Sequence, residues 1–306
     1  MTSSRLVMAA LAAAVSVTSL SAQSKPGWQP GRTPDGQPDI QGTWLNFDST
    51  PFEAPAPAAR PLPAPGGGQP AAAGINPASE FADHTHKVSE RRKAMVVDPP
   101  DGRVPPLSDA AQKRAAADRQ GRGPSDGPED RSAFERCITR GLPGAMLPGF
   151  YNHNYHIMQT RDFVVINVEM VHDARIIPLT AGNAPPAAIR NWMGSSRGHW
   201  EGDTLVVQTT NFNDKVREQS LIAFSSGQNL RLTERFKRTG PSTIDYQFTV
   251  DDPAFYTRPW TASVPMIRID GPIFEYACHE GNYGMGGILK GARVEEQAAD
   301  GAANRR

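Results

Sequence analysis

The chain has 306 residues, with 32 basic and 32 acidic side chains and a formal net charge of zero. That balance argues against a nucleic-acid partner, because binding a polyanion draws on an excess of Lys and Arg. The length suits one large domain or two small ones.

Met1 to about Gln23 carries Arg5, an apolar run from Leu6 to Leu20, and small residues at Ser21 and Ala22. This is the three-part form of a secretory signal peptide and predicts a periplasmic or secreted protein. The apolar run is shorter than the roughly 20 residues a spanning helix needs. No other run approaches that length, so no membrane span is expected in the mature chain.

Residues 24–150 read as a Pro/Gly-rich arm wrapped around a core. Within the arm, Ile40 to Asn46 is expected as a strand carrying Gly42, Thr43 and Trp44. This Gly-x-Trp resembles the opening strand of calycin barrels, the lipocalins and their relatives, where the Trp closes one barrel end. Residues 48–75 are rich in Pro, Ala and Gly and are expected as a disordered spacer. His84 and His86 follow on a charged stretch, either as a metal-binding pair at i, i+2 or as a solvated surface segment. Residues 108–120 predict a short helix capped by Ser108 and ended by Gly121. Arg131 to Gly149 reads as irregular.

The core is expected over residues 151–290. Tyr155 to Thr160 pairs with Phe163 to Met170, and Arg175 to Leu179 continues as a strand. Glu201, Gly202 and Asp203 form the turn of a further hairpin. Residues 230–238, 243–250, 263–269 and 273–278 supply the remaining strands. Short turns between antiparallel neighbours predict a mainly β fold: a single antiparallel, lipocalin-like barrel, closed or nearly closed, of about 8–10 strands. Residues 291–306 are expected as a disordered tail.

Alternation nominates the inward-facing groups. Leu230, Leu232, Glu234 and Phe236 share a face, which sets a carboxylate among apolar side chains. Such a group is costly unless paired: either Arg268, which breaks the pattern of its own strand, is its partner, or Glu234 faces outward or forms a salt bridge at the barrel rim. His172, Asp173 and Arg175 lie in a core-forming segment. Either His172 acts as a general base, with Asp173 or Glu169 setting its tautomer and Arg175 holding an anion, or the cluster fixes a turn. Tyr276, Cys278, His279, Glu280, Asn282 and Tyr283 crowd a Gly-rich segment, either as the mouth of a binding site or as a C-terminal closure whose glycines only satisfy geometry.

The candidate catalytic set is therefore His172, Asp173, Arg175, Glu234 and His279. His156, Trp192, Trp200, Trp260, Arg268 and Tyr283 are candidate ligand contacts. Metal binding would draw on His153, His156, His172 and His279, but no recognised metal spacing supports it, and no cofactor is expected. Nucleophile-elbow, phosphate-loop, dinucleotide, c-type haem and HExxH patterns are all missing from the sequence. The two cysteines, Cys137 and Cys278, are in an exported protein most simply one disulfide, the other reading being two buried thiols.

The blocks GRTPDGQPDIQGTW, VDPPDGRVPPL, NYHIMQT, VEMVHDARIIPL, WEGDTLVVQTTNF, TVDDPAFYTRPWTA and FEYACHEGNYGMGGIL resemble those of a large group of secreted, uncharacterised, β-rich bacterial proteins. The resemblance implies export and a shared β core and carries over no catalytic role. Three functions follow as expectations. The first is an exported pocket protein binding a small, partly apolar ligand inside the barrel. The second is a cofactor-independent lyase, isomerase or hydrolase using His172 or His279 with Arg175 and Glu234. The third is a structural envelope module.

Overall fold

A computed structural model describes residues 28–46, 50–55, 92–119, 125–148, 151–180, 182, 185–218, 224–225 and 227–303. The expected signal peptide, most of the spacer, and His84 and His86 lie outside these residues.

In chain order the elements are β1 (Gly42–Leu45), β2 (Val96–Asp98), α1 (Asp109–Arg119), β3 (Asn154–Gln159), β4 (Phe163–Val168), β5 (Ala174–Pro178), β6 (Ser195–Glu201) and β7 (Thr204–Thr210). They continue with β8 (Arg217–Glu218), β9 (Phe224–Ser225), β10 (Arg231–Gly240), β11 (Thr243–Asp251), β12 (Trp260–Ile269) and α2 (Tyr283–Ala303). Ten strands form one antiparallel sheet in the order β5-β4-β3-β1-β12-β11-β10-β7-β6, with β2 added beside β12. The fold is thus mainly β, as expected. β8 and β9 make a separate ribbon.

The sheet is not closed by backbone pairing, because β5 and β6 stand at opposite ends of that order. The two edges nevertheless touch. A Cβ added to Gly198 on β6 would lie 2.9 Å from Leu179 and 3.0 Å from Ile177. Glycine there lets the edges meet along a side-chain seam where a ladder is missing.

Period-two patterning decides what fills the curve of the sheet. On β11, Ile244, Tyr246, Phe248 and Val250 are buried and alternate with partly exposed Thr, Asp and Gln. Phe236, Tyr246, Phe248 and Trp260 stack in series, with ring centroids 4.7, 5.8 and 5.6 Å apart. Trp44 is buried on β1, where its indole N–H donates to the Ile40 carbonyl at 3.0 Å. The Arg238 guanidinium sits 5.6 Å from the centre of the Trp44 ring.

One end of the sheet, marked by Leu45, Asn154, Val168, Ala174 and Ser195, is capped by residues 131–148. Leu142, Ala145, Met146 and Leu147 are buried there. Asn46 ties this cap to the sheet by donating to the Met146 carbonyl at 2.8 Å and to the Tyr155 hydroxyl at 2.9 Å.

Two expected elements differ. Residues 273–278 are not a strand, for their backbone joins no ladder. The segment crosses the capped end, where the Cys137–Cys278 disulfide, with Cα atoms 5.6 Å apart, holds it. Residues 291–303, expected as a disordered tail, continue α2. Arg293 anchors that helix by donating to the carbonyls of Ser125 at 3.2 Å and Asp126 at 2.9 Å.

Candidate functional site

The expected inward carboxylate is where alternation put it, but with a different partner. Glu234 is fully buried and takes a two-pronged hydrogen bond from Arg175, whose side chain is 2% exposed. Arg268 is exposed on the last turns of β12 and packs over Gly42, so it is not the partner of Glu234. The Tyr246 hydroxyl donates to Glu234 at 2.9 Å. Burial pulls the Arg175 pKa down, while the Glu234 charge and hydrogen bonds outweigh it and raise the net value. Burial and the Glu234 charge push the Tyr246 pKa well up, so that phenol stays protonated. A pair engaged in this way carries structure, with both terminal guanidinium nitrogens committed to Glu234 and the Arg175 Nε–H left buried without a partner.

Asp173 does not orient His172. Its carboxylate accepts from the Thr139 hydroxyl at 2.6 Å, and burial raises its pKa despite that bond and the charges of His172 and Arg175. Glu169 does not orient His172 either, for its carboxylate takes the side-chain amides of Asn152 and Asn154. His172 is exposed, and its Nδ1 lies 3.0 Å from the Tyr276 carbonyl oxygen. A carbonyl only accepts, so Nδ1 carries the proton that makes this bond. His279 is exposed as well, whereas Glu234 is sealed inside, so the three do not converge.

The proposed ligand contacts are dispersed. Trp260 is fully buried in the aromatic stack and cannot face a ligand. Trp192 and Trp200 are half-buried against the core. Tyr283 is 86% exposed at the start of α2. His156 sits on β3 with its Nδ1 3.1 Å from the Thr43 hydroxyl. His153 is buried among residues of the cap. Burial and then the Arg140 charge lower its pKa well below the ordinary imidazole value, against a contact with the Leu147 backbone that raises it. Among the described residues no group of three or more His, Cys, Asp or Glu side chains is placed to hold a metal ion.

The structure brings together instead the rim segment 275–282 and the cap. Between them lies a surface cleft of about 470 Å³, walled by Phe134, Tyr151, Asn152, Tyr276, Glu280 and Asn282. Asn282 donates to the Glu135 carbonyl at 3.3 Å and reaches the Cys137 sulfur at 3.2 Å, fixing the rim to the cap. Several non-glycine residues around this cleft adopt the left-handed backbone region: Cys137 (φ 57°), Asn152 (φ 54°), Val171 (φ 63°) and His172 (φ 51°). Such conformations persist where surrounding packing over-determines them, and they gather at binding and catalytic sites. Burial and the neighbouring Tyr151 raise the pKa of Tyr276, and Arg140 works against both. A second cleft of about 280 Å³ lies on the seam between β5 and β6, beside Arg175, Ile176, Ser195 and Arg197.

Tyr276, Glu280 and Asn282 were legible as a rim. Phe134, Tyr151 and Asn152 were not, because they come from irregular segments without periodicity. Comparison with family models, with curated proteins and with solved structures returns no match.

Proposed function

We propose that the protein is an exported small-molecule-binding module whose ligand sits in the cleft at the capped end of the sheet. The observation that carries this reading is the cleft between the 275–282 rim and the cap, with aromatic and polar walls held by a disulfide. Its volume is within the range that small organic ligands occupy. The ligand is placed at the mouth because aromatic side chains fill the inside of the sheet. A disulfide is stable in an oxidising compartment, which supports export.

A titration of the ¹⁵N-labelled mature chain with a fragment library tests this reading. The amides of Asn152, Tyr276, Gly281 and Asn282 are expected to shift together. If no fragment moves them at millimolar concentration, the protein is better read as a structural envelope module.

The tautomer of His172 favours a second reading, cofactor-independent acid–base chemistry at the same rim. The Tyr276 carbonyl takes the Nδ1 proton and plays the orienting part, which leaves Nε2 as the ring nitrogen for proton transfer. A turnover assay on any ligand found would decide it. Loss of turnover in His172→Ala with binding retained is the outcome that reading requires.

A further inference from the structure

The charged side chains that line the cleft at the capped end are all negative. Glu135, Glu275 and Glu280 stand in its walls, and no Lys, Arg or His does. Glu135 is ionised, because burial raises its pKa but the bonds from Arg131 and Ser132 outweigh burial and lower the net value. Arg131, with which it is paired, balances that charge. Glu275 and Glu280 are exposed, and among the described residues neither forms an ion pair. The rim therefore presents two uncompensated carboxylates in a chain whose formal net charge is zero.

Beside these charges the walls are aromatic. Phe134 already has a cation against it, for the Arg140 guanidinium lies 5.6 Å from its ring centre, and Arg140 is not among the residues that line the cleft. Tyr151 and Tyr276 are the rings left to a ligand. Tyr151 is 49% exposed and Tyr276 is partly so. Burial and then the neighbouring Tyr151 raise the Tyr276 pKa, against Arg140, so that phenol stays neutral. Its backbone is held in place by His172, whose Nδ1 donates to the Tyr276 carbonyl at 3.0 Å, and by the disulfide two residues on. The face of a neutral aromatic ring attracts a cation through its quadrupole, and a rim already in position spends little entropy on binding one.

The two sets of groups together select a charge and a shape. An anion would face Glu275 and Glu280 and gain nothing from the rings. Carboxylates this exposed hold a point charge only weakly in salt, so a strongly hydrated primary ammonium has little to gain here. A quaternary ammonium has no N–H to leave unsatisfied and spreads its charge over methyl groups that pack on aromatic faces.

We propose that the cleft binds a small quaternary ammonium compound, its methyl groups against Tyr151 and Tyr276 and its charge facing Glu275 and Glu280. The inference rests on the reading of the cleft as a ligand site and adds the chemical class.

Three probes of one shape test this on the mature, disulfide-bonded protein, read by the amide shifts of Tyr276 and Asn282: choline, its uncharged isostere 3,3-dimethylbutan-1-ol, and the anion 3,3-dimethylbutanoate. Choline is expected to bind about tenfold more tightly than the alcohol, and the anion to leave the amides unmoved. Glu275→Gln with Glu280→Gln, both on exposed side chains, is expected to remove most of the preference for choline while binding the alcohol as the native chain does. Tyr151→Leu weakens choline, and Tyr151→Phe, which keeps a ring face, restores it. Equal binding of choline and alcohol by the native chain, or an undiminished choline preference in the double glutamine variant, overturns the inference while leaving the cleft a ligand site. Choline binding that depends on the two glutamates but is untouched by Tyr151→Leu also overturns it, by showing attraction to surface charge alone. If none of the three probes moves these amides the inference falls, and the fragment titration decides separately whether the cleft takes a ligand of another class.

Discussion

Replacing Arg175 by Met removes one half of a dry ion pair and tests whether the inside of the sheet is sealed. The Arg175 and Glu234 side chains are 2% and 0% exposed, and they join β5 at one edge of the sheet to β10, the third strand from the other. Arg175→Met leaves the Glu234 carboxylate with the Tyr246 hydroxyl among aromatic rings. Losing one partner of a buried pair costs about 3–5 kcal/mol. At about 2–4 °C per kcal/mol for a domain of this size, the melting temperature falls by about 6–20 °C. Replacing both residues by apolar ones, Arg175→Met with Glu234→Met, removes the stranded charge and recovers most of the loss, because paired buried charges contribute little net stability. Equilibrium urea unfolding in oxidising buffer, arranged as a double-mutant cycle, measures the coupling directly. A single-variant loss below about 1 kcal/mol, the size of a surface ion pair, would refute the sealed interior. So would additivity of the two substitutions.

Three further outcomes are expected. The His153 pKa is lowered on folding, so its contribution to stability is complete above the ordinary imidazole value and is lost as pH falls through the lowered one. His153→Asn flattens that acid limb, whose slope is at most about 1.4 kcal/mol per pH unit, in urea titrations between pH 7 and pH 4. Asp173 has the opposite sign: its raised pKa means that the folded chain binds a proton more readily, so stability rises as pH falls from that value toward the ordinary carboxylate range. Asp173→Asn abolishes this rise and is more stable than the native chain at neutral pH while keeping an oxygen for the Thr139 hydroxyl, as stability curves against pH will show. The Cys137–Cys278 disulfide spans 141 residues, and replacing both cysteines by Ser lowers stability by about 4–5 kcal/mol in the chain-entropy model. Hydrogen exchange should then show segment 273–282 opening before the sheet, and intact mass under non-reducing conditions should find no free thiol in the native chain.

The strands from residue 154 to residue 269 were readable because one side of each meets a core and the other meets water. Leu232, Glu234 and Phe236 on β10, and Ile244 to Val250 on β11, alternate as written. Alternation assigns a face and stops there. It named Glu234 as inward but gave no means of choosing its partner, since a contact across the curve of the sheet depends on how far the sheet curls. Arg268 has the same parity as Trp260, Ala262, Val264 and Met266, yet it is exposed, because β12 runs out past the end of the core beside Gly42.

The cap was unreadable for a different reason. Its buried residues Leu142 to Leu147 lie in a Gly-Pro turn and a single 3-10 turn, where neither a period of two nor one of 3.6 applies. Every wall of the cleft except the 275–282 rim comes from such segments, so a reading by periodicity finds the scaffold and passes over the site. That division follows from the physics of loops. Regular strands must satisfy their backbone groups and bury one face, which leaves their side chains little freedom. Irregular segments anchored by a disulfide and by left-handed residues such as Asn152 and His172 can hold side chains in arrangements that no period encodes.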